Sequence, residues 1–188
     1  MSTADPAGAA RYLIRGAEQG DLDAIAGFEI EIAQVSFGAE AITDPALHRK
    51  RVSRALGKPG EVTLIAAARQ APGEPLGWAW MSPRANSLTG ARYGNFRSLA
   101  VADVPDRSLI GELLLAAVLR AADDARFTQL TGKVHASNLG MRTLYRKFGF
   151  EATHVTMELH PHQPAPDQPP GRDQPLAPDR QPAPDQPS

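Results

Sequence analysis

A chain of 188 residues with 42% apolar side chains has the size of one domain and is too apolar to be disordered throughout. Its formal net charge of −1 gives no overall pull toward nucleic acid or an anionic membrane, and neither is expected as a partner. The lack of cysteine excludes a disulfide framework, a thiolate zinc site and a cysteine nucleophile, and it agrees with the cytoplasmic location expected here.

Residues 1–10 have neither the basic start nor the apolar run of a secretory signal, and they read as a frayed leader. The longest strongly apolar run, 113–119, falls far short of the roughly 20 residues that span a bilayer. A first strand is predicted over 12–15. Asp21 then reads as the cap of a helix whose Ile25, Phe28, Ile32 and Val35 share one face. A second helix has Asp44 as cap, Pro45 at its first position and Gly57 as stop. Its His48, Arg49, Lys50, Arg51 and Arg54 make a basic face, read as solvated.

Strands follow over 62–69, 76–81 and 93–101, the first two joined by a hairpin turn at 71–75. Trp78 and Trp80 share a face of the middle strand and read as packing, with an acceptor-cleft wall as the alternative. The next helix carries the strongest stripe: Ile110, Leu113, Leu114, Ala117, Val118 and Ala121. After a strand over 128–135, a helix opens at Asn138 and carries Met141, Leu144, Tyr145 and Phe148 on one face. It ends at Gly149 with Phe150 behind it, as a Schellman stop would. A last strand is predicted over 150–159.

Residues 161–188 are different in kind. They hold ten of the seventeen prolines and repeat Gln-Pro-Ala-Pro-Asp-Gln-Pro at 163–169 and 181–187, so a polyproline II-like, solubilising tail is expected there. The folded domain is placed at 11–160. Its order, β-αα-β-β-β-α-β-α-β, predicts an α/β (α+β) fold: a mixed, mostly antiparallel sheet with helices on both faces.

Two stretches could carry chemistry. The strand that ends at Leu99-Ala100-Val101 feeds a short loop and then a helix, which presents free amides and a positive dipole end to an anion, with Arg107 beside it. The second stretch is the helix from Asn138 through Leu144-Tyr145 to Gly149-Phe150. Together, in this order and spacing, they resemble the pyrophosphate-binding segment and C-terminal signature of the GNAT superfamily of N-acetyltransferases. The match in element order extends over nearly the whole domain.

That resemblance implies acetyl-CoA as co-substrate and direct transfer of an acetyl or short acyl group to the amine of a small molecule. It implies that Leu99, Ala100 and Val101 pair with the pantetheine arm and offer an amide to the thioester carbonyl. The loop of Asp106, Arg107, Ser108, Leu109, Ile110 and Gly111 would cradle the pyrophosphate, Asn138 would bond the arm, and Tyr145 would stabilise the leaving thiolate. Departures are plain: of the three loop positions marked in the family only Gly111 fits, with Asp106 and Leu109 at the others. The strand over 93–99 carries no Asp or Glu for a base, which leaves Glu40, His135 or water. His154, His160 and His162 lack a carboxylate pair, so no metal is expected. A non-catalytic GNAT-like acyl-CoA-binding or interaction domain is the alternative function. Dimers are frequent in the family, so a homodimer stands as an open alternative to a monomer.

Overall fold

A computed structural model describes residues 6–153 of the chain. The chain divides into two units, Ala152–Ser188 and the larger Met1–Glu151, which holds the fold. Its elements are α1 (Pro6–Ala9), β1 (Tyr12–Gly16), α2 (Leu22–Phe37), α3 (Pro45–Ser53), β2 (Val62–Ala68), β3 (Ala71–Ala85), β4 (Arg92–Val101), α4 (Arg107–Asp124), β5 (Leu130–Gly132) and α5 (Leu139–Lys147). The strands form one five-stranded sheet in chain order, antiparallel from β1 to β4 and parallel between β4 and β5. This is the mixed, mostly antiparallel sheet expected.

Alternation along the strands divides the core in two. Ala79, Met81, Phe96 and Val101 face one layer, where α4 lays Ile110, Leu114, Leu115 and Val118 and α5 adds Tyr145. Trp78, Trp80, Ile65 and Ala100 face the other, against Ile25 and Phe28 of α2 and Val52 of α3. Helices therefore cover both faces. Each fully buried aliphatic chain on α4 contributes about 1.5–3 kcal/mol, far more than helix propensity could supply.

Several expectations need correction. Residues 6–9 of the supposed leader form a helical turn beside α4. The Pro-Gly stretch at 71–75 is not the hairpin turn. It lies inside β3, where Ala67 pairs with Pro75 and Ala68 with Ala71, so residues 72–74 bulge out and the chain reverses at Arg69 and Gln70. β5 is three residues long rather than eight. Asp21 makes no capping bond to α2 from its side chain. Both its carboxylate oxygens accept from Arg15 at 2.7 Å, and the amide of Glu18 donates to one of them at 2.8 Å. His48, expected on a solvated face, is buried with a ring nitrogen 2.8 Å from the Ile42 carbonyl, and Arg51 pairs with buried Glu29. Asp44 does cap α3, accepting from the Ala46 amide at 2.8 Å with Pro45 behind it. The last expected strand is described only as far as Thr153; its remainder, the three C-terminal histidines and the proline-rich tail lie outside the described residues.

Candidate active site

β4 and β5 make the site by parting. They pair only from Gly94–Leu130 to Phe96–Gly132; beyond that point β4 runs on to Val101 while the chain after Gly132 turns away toward α5. The gap is a cleft of about 170 Å³, closed on its third side by Glu31, Ile32, Val35 and Ser36 of α2. Val35, on the same predicted face as Ile25 and Phe28, is 52% exposed because its side of α2 forms this wall.

The open edge of β4 carries unused amides. The Ala102 amide donates to the Leu76 carbonyl at 2.9 Å, toward β3. By the alternation of an extended strand, the amides of Ala100 and Ser98 point the same way, and those of Leu99 and Val101 point into the open edge. Leu99 and Ala100 line the cleft, whereas the Val101 side chain is buried against α4. At the end of β4, α4 begins with Asp106 at its N-cap. The Arg107 amide donates to the Val104 carbonyl and the Ile110 amide to the Asp106 carbonyl, both at 3.0 Å, which leaves the Ser108 and Leu109 amides without a backbone acceptor among the described residues. These amides and the helix dipole can receive an anion.

The side chains of that loop are not placed as the sequence alone suggests. Asp106 makes no capping bond. Its carboxylate accepts from the Tyr12 hydroxyl at 2.6 Å and pairs with Arg11 at 3.0 Å, so its charge is already met; the same contact raises the Tyr12 phenol above its usual range. Arg107 lines the cleft but reaches across it to Glu31, 3.3 Å away. Ser108 is exposed, Leu109 is half-buried, and Ile110 and Gly111 are turned into the core.

The opposite wall is α5. Asn138 caps it, Oδ1 accepting from the Met141 amide at 3.0 Å, which leaves the side-chain NH₂ beside the cleft without a partner among the described residues. At the other end the Gly149 amide donates to the Arg146 carbonyl (3.1 Å) and the Phe150 amide to the Tyr145 carbonyl (3.0 Å), the two bonds of a Schellman motif, with Gly149 at φ 80°. That motif stacks Phe150 on Tyr145 with ring centroids 4.5 Å apart, and Phe96 holds the same ring from 6.1 Å. Tyr145 is 7% exposed and is not among the residues that line the cleft. Its hydroxyl rests on Gly132, the last paired residue of β5, where any Cβ would collide with it, and it has no hydrogen-bond partner among the described residues. Burial pushes its pKa up, well out of the ordinary phenol range.

Of the two side chains considered as a base, Glu40 is exposed and off the cleft, while His135 lines it. The Ser137 amide donates to His135 Nδ1 at 3.3 Å, with the Ser137 hydroxyl 2.6 Å from the same atom. With Nδ1 accepting from that amide, the neutral ring carries its proton on Nε2. Sequence reasoning missed three charged residues of the cleft: Glu31, Arg97 and Lys133. Glu31 lies one turn before Val35, so the face of α2 held that signal; Arg97 and Lys133 had none.

The Acetyltransferase (GNAT) family model matches residues 22–150, which includes the cleft, both of its helical walls and the Schellman stop. No curated protein sequence matches the chain. Among solved structures, one described as a probable acetyltransferase superposes with TM-score 0.62 at 20% identity, covering 84% of this chain and 99% of that one. A structure named a transcriptional regulator, from Bacillus halodurans C-125, gives TM-score 0.65 at 15% identity, covering 79% of this chain and 99% of that one. A ribosomal-protein-alanine N-acetyltransferase from Brucella melitensis biovar Abortus 2308 gives 0.57 at 15% identity, covering 79% and 98%. At these identities the structures speak for the fold; with a family model spanning most of the domain, the chain belongs to the GNAT acetyltransferase family.

Proposed function

We propose that the protein transfers an acetyl or short acyl group from acyl-CoA to the amine of a small molecule, by direct attack of the amine on the thioester. The observation that carries this reading is the parted edge of β4. Two amides on its open side, Leu99 and Val101, are followed along the chain by those of Ser108 and Leu109 in the first turn of α4, which have no backbone acceptor among the described residues. An extended arm with amides of its own would pair with the first two, and a pyrophosphate would meet the second two. Arg107 and the Asn138 amide group flank that path.

Acetyl-CoA supplies the activated acyl carbon and a thiolate leaving group. The protein's part is to polarise, position and receive charge. An inward β4 amide stabilises the oxyanion as the amine nitrogen bonds to the carbonyl carbon. Collapse of that adduct forms the amide and breaks the carbon–sulfur bond, sending the electron pair to sulfur. Tyr145 then donates a hydrogen bond to the thiolate. With an ordinary phenol, full proton transfer to sulfur would already be uphill by about 2 kcal/mol, and burial makes it more so. The amine proton leaves through water, because β4 carries no carboxylate and Glu31, the one carboxylate lining the cleft among the described residues, is engaged by Arg107.

Thiol release from acetyl-CoA in the presence of a panel of primary amines tests the reading. Release that depends on an amine supports it. Binding of CoA with no release for any amine supports instead a GNAT-like domain that binds acyl-CoA without turnover, a reading favoured by the missing strand carboxylate.

A further inference from the structure

Two cations of the cleft, Arg97 and Lys133, have no ion pair among the described residues, and the position of Arg97 comes from an irregularity of β4. Trp80 pairs with Ser98 and the next residue of β3, Met81, pairs with Phe96, so Arg97 is the extra residue of a β-bulge. The bulge turns Arg97 out of the ladder and lays its guanidinium 4.2 Å from the centroid of the Trp80 ring. Trp80 is itself fixed, 4% exposed with Nε1 donating to Glu61 at 2.7 Å. Arg97 is therefore oriented before anything binds.

Its charge is unspent. Arg51, which shares the Trp80 ring at 5.8 Å, is paired with Glu29, and Arg107 with Glu31. Arg97 has no hydrogen bond or ion pair among the described residues, yet it lines the cleft. Glu61 is the acidic group nearest in effect, but it accepts from Trp80 and Ser82 and forms no ion pair with Arg97. Arg51 and Arg84 add positive field around it. Nor does Arg97 belong to the phosphate end. It lies upstream of Leu99, four residues and about 13 Å along the strand from Val101, while Arg107 and the α4 amides lie beyond Val101.

We propose that Arg97 receives an anionic group of the acceptor, so that the substrate is a small amine bearing a carboxylate or phosphate. This rests on the acyl-transfer reading, since it takes the α4 end of the cleft for the CoA phosphates. A planar guanidinium held on an indole face offers two parallel N–H donors to such a group.

The test is calorimetric titration of matched amines into protein saturated with CoA. Each set has one aminoalkyl carboxylate, its primary amide, the corresponding alkylamine and the aminoalkyl phosphonate. The expected result is that an anionic member binds at least about tenfold more tightly than its amide partner, and that Arg97→Gln removes this difference while CoA affinity stays the same. Arg97→Lys should restore part of it. Carboxylate and phosphonate arms separate the two kinds of anion. Equal binding of anionic and neutral amines, no binding of any anionic amine at about 10 mM, or a preference that survives Arg97→Gln overturns the assignment. Failure of CoA itself to bind would strike the acyl-transfer reading instead, and is seen before any amine is added.

Discussion

Arg107 and Glu31 meet across the mouth of the cleft, Nη2 3.3 Å from Oε1, so the cation best placed for an incoming phosphate is bound to a carboxylate of the facing helix. The side chains are 51% and 46% exposed, which makes the pair weak, within about 1 kcal/mol. A pyrophosphate would compete with Glu31 for Arg107. Glu31→Gln should therefore tighten CoA about two- to fivefold by calorimetry, and the gain should shrink in high salt. Arg107→Gln should weaken CoA in both backgrounds.

Tyr145→Phe should lower amine-dependent thiol release by about tenfold to a hundredfold, with CoA affinity nearly unchanged. The hydroxyl has no partner among the described residues, so stability should shift by less than about 1 kcal/mol. Because burial raises the Tyr145 pKa, its ionisation should produce no alkaline fall in rate across the ordinary phenol range. The rate should instead rise with pH as the acceptor loses its proton. An alkaline limb that vanishes in Tyr145→Phe would contradict this.

The hydroxyl of Tyr145 lies where a Cβ on Gly132 would stand. Gly132→Ala should destabilise the protein by about 1–3 kcal/mol in urea unfolding and cut turnover by displacing the ring. Since the oxygen is the obstacle, adding Tyr145→Phe should recover part of the stability, a non-additivity that a double-mutant cycle measures directly.

Asp21 links stability to acid. Its carboxyl is held below the usual carboxylate value, 3.8, chiefly by the two bonds from Arg15. A lowered folded pKa means stability that is fully present above the unfolded value and lost as pH falls through the folded one. Asp21→Asn should therefore cost about 2–4 kcal/mol at neutral pH, and the gap to the native protein should narrow below about pH 4. A deficit that stays constant down to acid unfolding would count against the pair.

What the sequence made legible was local. Asn138, Gly149 and Phe150 announce a helix start and stop through chemistry confined to three or four residues, and the bonds form as that chemistry dictates. Asp44 with Pro45 is the same case. The misreadings came where a distant partner outbid a local one. Asp21 looks like a cap and Asp106 like part of a phosphate loop, but Arg15 claims the first, and Tyr12 with Arg11 claims the second. Pro72 and Gly73 look like a turn, yet register absorbs them into β3 as a bulge. Arg97 could not be singled out because a bulge is a property of two strands' pairing, not of either strand's composition.

The central claim is that the parted edge of β4 and the start of α4 receive acetyl-CoA. Backbone amide shifts followed by NMR during an acetyl-CoA titration test it most directly. The account predicts saturable changes at Leu99, Val101, Ser108 and Leu109, with Asn138 alongside, and little change on the far strands β1 and β2. Saturable binding that leaves these amides untouched, or no binding at millimolar acetyl-CoA, would contradict it.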